Sequence, residues 1–410
     1  MALRSGEKKR KSTCKFAEEI ASTSLETYRK LISRLPYSSL PTRTVVAAFV
    51  SFDAKTKKFS TLTCACGTKH ATDDAFDGEM KKPSMERRMV RDCHAEVLAR
   101  RALKRFLLCE MIGVKEGRRT FFLEREDEEE GGRFKVREGL SLHLYVSSCP
   151  CGNATLRRWG KCGNERQWEQ LDEFTLPDQT PHQAFHALDA ENGQCAIALK
   201  KAIPSGEFSE QTDDATLARG TLAVGMNLKG RVVTCSDKIA LWNSKEVGVQ
   251  GGLLFSKLAK PIFIQSITIG RKFSFKHCSR AFCCRLSSVG NNHPVLMQCA
   301  KVFDEQPIDT TNSNTLIFDN PNSLIWMAGK NDAEVLEKTG VSATNHGASS
   351  KFCSAAFESL FFEIFKLSND EDKRLKYYDV AKDAAFRAFL PRRNEQTRSR
   401  RANAGKEYYL

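Results

Sequence analysis

Between His94 and Leu108 the apolar residues Ala95, Leu98, Ala102, Leu103, Phe106 and Leu107 recur at steps of three and four, which predicts a helix with one face in a core. It is the clearest helix in the chain. Ahead of it, Thr44–Phe52 and Lys58–Cys64 are rich in β-branched and aromatic residues and flank a polar turn, the pattern of a hairpin. Behind it, the charged, glycine-containing stretch Glu124–Gly139 reads as an exposed loop or hairpin tip. Leu142–Val146 reads as a strand ending at Ser147-Ser148-Cys149-Pro150-Cys151-Gly152, where proline and glycine impose a turn before a short helix through Trp159. From Gly160 to Gly220 the chain is polar, weakly periodic and interrupted by Pro177, Pro181 and Pro204, as an insertion would be. Regular patterning returns with a strand over Arg231–Thr234, a helix over Lys238–Trp242, an apolar segment at Leu253–Leu258, a strand over Ile262–Ile269 and a helix over Phe352–Leu367. No internal repeat is found. The division expected is a basic, disordered segment over residues 1–40, one folded unit over 41–390, and a basic tail over 391–410 with Arg392, Arg393, Arg398, Arg400 and Arg401.

Composition narrows the class. At 410 residues and 41% hydrophobic content the chain can bury one large core or two ordinary ones. Its 64 basic and 50 acidic residues leave a net charge of +14, which favours a polyanionic partner such as nucleic acid. Fifteen cysteines could frame disulfides, but the count is odd, the chain is long and no secretory signal precedes them, so a reducing compartment is expected. No apolar run approaches the roughly 18 residues that span a bilayer, and no membrane association is expected. The run Lys8-Lys9-Arg10-Lys11 serves equally as a nuclear address or a solvated tail, so the expected location is intracellular, in cytoplasm, nucleus or both. Nothing in the sequence calls for an obligate protein partner.

The chemistry lies in two short blocks. His94-Ala95-Glu96 opens the clearest helix, and Pro150-Cys151 closes a strand about fifty residues later. These are two pieces of the zinc deaminase signature, in which histidine and cysteine ligate the metal and the glutamate does not. Neutral imidazole and thiolates suit a tetrahedral zinc with one position left for water, whose pKa falls toward neutrality. Glu96 could then take that proton, pass it to a ring nitrogen and finally to the departing ammonia. One part of the signature is missing: a second cysteine should stand three residues after the first, and position 154 is alanine. Cys235, which follows its own strand as Cys151 does, is the best replacement, with Cys149, Cys162 and Cys66 as competitors. Taken alone, an H-x-E tripeptide is served as well by a histidine at a helix start with a first-turn glutamate favoured by the macrodipole.

Longer blocks then resemble one family, the adenosine-to-inosine RNA-editing deaminases, and within it the branch that acts on tRNA. They are Asp92-Cys93-His94-Ala95-Glu96 with Arg100-Arg101, Ser148-Cys149-Pro150-Cys151-Gly152, and Cys235 to Asn243 with Gln250-Gly251. The resemblance implies a three-layer α/β/α cytidine-deaminase-like sandwich with an integrated helical C-terminal part. It makes His94, Cys151 and Cys235 the zinc ligands and Glu96 the proton shuttle. Gly67-Thr68-Lys69 resembles a segment that touches the flipped nucleotide, so Thr68 and Lys69 become substrate contacts by resemblance.

The same resemblance implies inositol hexakisphosphate in the core, held by Arg100, Arg101, Lys238, Trp242, Tyr378 and Lys382. Helix geometry points the same way, since Arg101 stands seven residues after His94, two turns along one side, and an arginine carried inward must find an anion. The simpler alternative for Arg100 is an i,i+4 ion pair with Glu96. There are departures: Leu241 stands where relatives that edit duplex RNA carry arginine, Ser354 replaces a lysine, and a tryptophan-containing C-terminus is absent.

Deamination needs the base edge, so the target adenosine must lie in a loop or be flipped out. About forty residues precede the first strand, too few for a double-stranded RNA-binding domain, and tRNA is the expected substrate. The family suggests the adenosine 3′ of the anticodon of alanine tRNA. Lys229, Arg231, Arg157, Arg158 and the C-terminal arginines could meet phosphates. The alternatives are editing of messenger or other double-stranded RNA, deamination of cytidine, and a non-catalytic RNA-binding homologue with a structural zinc, against which Glu96 argues.

Overall fold

Strand β1 (Val46–Asp53) carries no charge before its last residue, and both of its faces are buried. Val46, Ala48 and Val50 pack into one apolar cluster and Ala47 and Phe49 into another, the alternation that a strand inside a three-layer structure must show. The structure is a computed structural model that describes residues 3–36, 44–70, 88–126, 132–151, 154, 199–201, 231–233, 235–243, 248–251, 254, 256–282, 292–301, 303, 322–337, 340–343 and 349–365.

The expected hairpin is formed by β1 and β2 (Lys58–Cys66). Its turn is held by Asp53, whose Oδ1 accepts from the backbone N of Lys55 at 2.8 Å. The register jumps from Phe49 opposite Thr63 to Val50 opposite Thr61. That bulge turns Leu62 to the opposite face from Cys64 and Cys66. Four further short strands precede the next long one: β3 (Thr68–His70), β4 (Asp92–His94), β5 (Leu123–Arg125) and β6 (Phe134–Val136). Strands β5 and β6 pair, so the charged stretch 124–139 is a hairpin, as one of its two readings had it.

The main sheet has seven strands in the order β11-β10-β7-β1-β2-β12-β13. The members not yet defined are β7 (Leu140–Ser148), β10 (Ile264–Arg271), β11 (Val295–Gln298), β12 (Ser323–Met327) and β13 (Glu334–Leu336). Two small strands, β8 (Leu199–Lys201) and β9 (Arg231–Val233), pair with each other outside it. β7, β10 and β11 run parallel and β1 runs against β7, so β7 is the strand at which the pairing changes sense. The carboxyl end of such a strand opens a crevice in which α/β proteins place their ligands.

Within residues 1–40, where a disordered segment was expected, the described residues contain a long helix. Leu3–Ile32 form one helix, α1, and Ala17, Ile20, Ala21, Leu25, Tyr28 and Leu31 are buried against the Val46/Ala48/Val50 face of the sheet. Burial of these apolar side chains works against the entropy cost of ordering the helix. The Glu18 carboxylate accepts from the backbone N of Ala300 and of Lys301, fastening α1 to the end of β11.

The opposite face carries α2 (Ala95–Lys115), α3 (Cys235–Trp242), α4 (Phe275–Phe282) and α5 (Ser354–Ile364), whose apolar residues share the second cluster with Phe49, Leu144 and Ile267. Helices on both faces of one mixed sheet give the α/β/α sandwich, with α5 part of the same core. The helix predicted through Trp159 and most of the 160–220 segment lie outside the described residues. Among the described residues no helix is long and apolar enough to cross a membrane.

Candidate metal centre and its surroundings

His94 ends β4 in an extended conformation and stands as the N-cap of α2. The first helical amide, Ala95 N, donates to Gly67 O at 3.0 Å, so the helix start is tied to the end of β2. Position 67 tolerates nothing larger than glycine, because a Cβ there would stand 2.1 Å from Cys93 O. Through this close approach β3 pairs antiparallel with β4, with Thr68 opposite His94 and Lys69 opposite Cys93. Both substrate candidates thus share a backbone ladder with the ligand strand.

The Cys151 end of the site follows from the carboxyl end of β7, where Cys149 N donates to Arg271 O of the parallel neighbour at 3.0 Å. Cys235 is the first residue of α3, which lies in the connection from β7 to β10. The ligand atoms of His94, Cys151 and Cys235 all lie within 4.8 Å of one another, and among the described residues this is the group able to hold a metal ion. Its competitors stand elsewhere. Cys149 faces Cys278 with sulfurs 3.7 Å apart, Cys66 is buried beneath α1, and Cys162 lies outside the described residues.

The donor set fits zinc. Asp92 Oδ1 accepts from the backbone N of His94 at 3.0 Å and from its ring Nδ1 at 2.6 Å. That bond occupies Nδ1 and leaves Nε2 as the ring nitrogen that would meet a metal ion, the carboxylate–histidine arrangement of zinc sites. The other Asp92 oxygen accepts from the Lys238 ammonium. Burial works against the Lys238 charge, but Asp92 and the sulfurs of Cys235 and Cys151 outweigh it and hold its pKa above the usual value. The Cys235 thiol is pushed far up, first by its hydrogen bond with Cys151 and then by burial. Two such neighbouring sulfurs can both ionise only when a cation lies between them.

Glu96 is 3% exposed. Burial, reinforced by the negative charge of Cys151 and opposed by His94, raises its carboxyl pKa to about 7. A carboxyl poised near neutrality can both accept and return a proton.

One turn further along α2, Arg100 does not pair with Glu96. Its Nε donates to Val249 O at 2.8 Å, and its guanidinium lies 5.1 Å from the Trp242 ring centre. Burial, with Arg101 beside it, lowers the Arg100 pKa to about 9. Arg101 Nη1 donates to Phe352 O at 3.2 Å. Lys104 stands over Phe357 with Nζ 4.4 Å from the ring centre. Burial, then Arg100 and Arg101, hold its pKa well below that of an ordinary lysine. Gly251 closes the group: with φ at +75° it occupies the left-handed region, and a Cβ there would stand 2.7 Å from Arg100 Nη2. Three cations thus crowd one side of α2, Lys104 among them although the sequence analysis did not single it out. Tyr378 and Lys382 lie outside the described residues, as do Lys229, Arg157, Arg158 and the C-terminal arginines.

Sequence reasoning also passed over the separate role of Asp92. A carboxylate two residues before a candidate ligand histidine was the available signal. Ser236, between the two sulfur-bearing segments, gave none.

The chain was compared with known proteins. A model of the adenosine-deaminase (editase) domain matches residues 64–394. The double-stranded RNA-specific adenosine deaminase of Mus musculus is 27% identical over 321 residues, 73% of this chain and 25% of that protein. Double-stranded RNA-specific editase B2 of Rattus norvegicus is 26% identical over 367 residues, 84% of this chain and 42% of its own length. tRNA-specific adenosine deaminase 1 of Saccharomyces cerevisiae is 26% identical over 306 residues, 72% of this chain and 69% of the yeast protein. The chain therefore spans less than half the length of the duplex-RNA enzymes it matches.

Proposed function

Because the chain belongs to the adenosine-deaminase (editase) domain family, we propose that it hydrolyses adenosine in RNA to inosine and ammonia, with tRNA as its substrate. The observation that carries this reading is the convergence of His94, Cys151 and Cys235 beside the buried carboxyl of Glu96.

Zinc is the proposed metal, held by His94 Nε2 and the sulfurs of Cys151 and Cys235. When bound, it supplies Lewis acidity that makes water a nucleophile near neutral pH. Glu96 takes one proton of the attacking water and delivers it to the adenine ring nitrogen next to the reacting carbon as the C–O bond forms, then takes the remaining hydroxyl proton and hands it to the amine, which leaves as ammonia when the C–N bond breaks. Asp92 keeps the His94 ring in one orientation, and Lys238 balances the charge of Asp92. Thr68 and Lys69, on the strand beside His94, are proposed to meet the flipped nucleotide.

The tRNA reading is supported by the yeast tRNA-specific relative, with which similarity extends over most of both chains. Within tRNA, the adenosine 3′ of the anticodon of alanine tRNA is the proposed target, on the resemblance of the motifs. A second reading, editing of double-stranded RNA, is favoured by the similarity to the mouse enzyme. Incubating the zinc-loaded chain with tRNA transcripts and with long duplex RNA, then sequencing for inosine, decides between them. Inosine in the duplex alone would overturn the tRNA reading, and cytidine conversion without inosine would overturn both.

Inositol hexakisphosphate is proposed to neutralise the Arg100, Arg101 and Lys104 side of α2, beside Trp242. Like charges gathered in a poorly solvated place call for an anion, and neither Arg100 nor Lys104 pairs with a carboxylate among the described residues. The dependence of the site on reduced Cys151 and Cys235 supports an intracellular protein, in cytoplasm or nucleus.

A further inference from the structure

Ser236 is fully buried, and its hydroxyl sits where the two sulfur-bearing segments meet. Its Oγ donates to Cys151 O at 2.7 Å, with Pro150 O at 3.3 Å as the weaker alternative for the same proton. The same oxygen accepts from Ala154 N at 3.2 Å. Its backbone N donates to Cys151 O at 3.0 Å, and the amide of the preceding Cys235 approaches Cys151 Sγ at 3.5 Å. One residue therefore binds both Cys151 and Ala154 to the amino end of α3.

In a C-x-x-C site the metal holds both of these positions, through its two cysteines. Here the far end is Ala154, whose side chain packs in the apolar cluster, and no metal bond can fix it. Ser236 grips both residues and directly follows Cys235, which would supply the missing sulfur. We propose that Ser236 is a positioning residue of the metal centre: its hydroxyl ties Cys151 and Ala154 to α3, so that two sulfurs 84 residues apart meet at one ion. It touches neither metal nor substrate. The inference rests on reading His94, Cys151 and Cys235 as a metal site.

The test uses the full chain with alanine and threonine at position 236. Zinc affinity is read by chelator competition, and the number and geometry of thiolate ligands from the absorption spectrum after exchange to Co²⁺. Ser236→Ala is expected to bind zinc about ten- to a hundredfold more weakly, the usual cost of losing a partner one step behind a metal ligand, with a shifted Co²⁺ spectrum. Ser236→Thr, which keeps the hydroxyl, should restore both. Cys149→Ala is the control, since it removes another bond to Ala154, Cys149 Sγ to Ala154 O at 3.4 Å, and none to Cys151. It should lower thermal stability and leave affinity and spectrum unchanged.

A Ser236→Ala chain with wild-type affinity and spectrum would overturn the inference while the metal reading stands. A wild-type chain that takes up neither zinc nor cobalt would overturn the metal reading and this inference with it. Complete failure of Ser236→Ala to fold would also count against it, because the hydroxyl would then determine the fold instead of aiming ligands.

Discussion

Thr68 faces His94 across the β3–β4 ladder, so a residue proposed to meet the nucleotide and one proposed to hold the metal cannot move independently. The hinge of that ladder is Gly67, whose missing Cβ lets Cys93 O approach. Gly67→Ala is expected to push the two strands apart, at about 1–3 kcal/mol of stability, the range for overpacking a filled site. Urea unfolding reads the stability and inosine yield the activity. An unchanged unfolding midpoint would show that the strands yield without cost.

Glu96 is argued to move protons and not to bind metal. Glu96→Gln keeps the shape and removes the acid, so it should lower inosine formation by about 10²–10⁴-fold, the range for a general acid–base group. Zinc content per chain should stay unchanged. Loss of metal and activity together would assign Glu96 a part in holding the ion instead.

Much of this arrangement was legible in the sequence where one face of an element is apolar and the other is not. Helix α2 and the β1–β2 hairpin follow from periodicity, and the ends of β7 and β9 bracket the two cysteines. Helix α1 was missed because its basic start drew the eye, although Ala17, Ile20, Ala21, Tyr28 and Leu31 carry helical spacing. Strands β11 to β13 have only three to five residues each, and Val295 at the start of β11 is exposed, so no alternation announces them. Spacing alone could not choose Cys235 over Cys149, because the choice depends on the start of α3 returning to Cys151, whose Sγ lies 3.5 Å from Cys235 N.

Because α1 packs on β1, β2, β7, β10 and β11, removing residues 1–32 should expose Val46, Ala48, Val50, Cys64 and Tyr145 to water. At about 25 cal/mol for each Å² of apolar surface uncovered, that loss is expected to be fatal to a marginally stable fold. Yield of soluble chain and far-ultraviolet circular dichroism check it. A folded, monomeric truncation would mean that the helix is an accessory layer.

Lys104 offers a test of the polyanion core. In the ligand-free chain Lys104→Met removes an amine whose charge burial and the neighbouring Arg100 and Arg101 oppose, and keeps an apolar stem over Phe357, so thermal stability should rise. Added inositol hexakisphosphate should raise the melting temperature of the wild-type chain more than that of the variant, since one phosphate partner is gone. Equal gains in the two would place Lys104 outside the site.

His143 should make the fold sensitive to acid independently of the metal centre. It lies in β7, 5% exposed, with Nδ1 2.7 Å from Ser266 Oγ, Nε2 2.8 Å from Ser141 Oγ, and its ring packed edge-on against Phe16 of α1. Burial lowers its pKa from 6.5 to about 4. The unfolded chain therefore takes up a proton below about pH 6.5 that the folded chain refuses until about pH 4, so this group favours unfolding progressively as the pH falls through that window. At 1.36 kcal/mol for each unit, stability should drop by about 2 kcal/mol between pH 7 and pH 5 from this residue alone. His143→Gln, which has no such proton to take up, should be less stable at pH 7 through lost packing and should show a shallower fall toward pH 5 in urea titrations. The difference between the two slopes isolates His143 from the other groups that titrate in the same range, and parallel slopes would mean that the imidazole can be protonated in the folded protein.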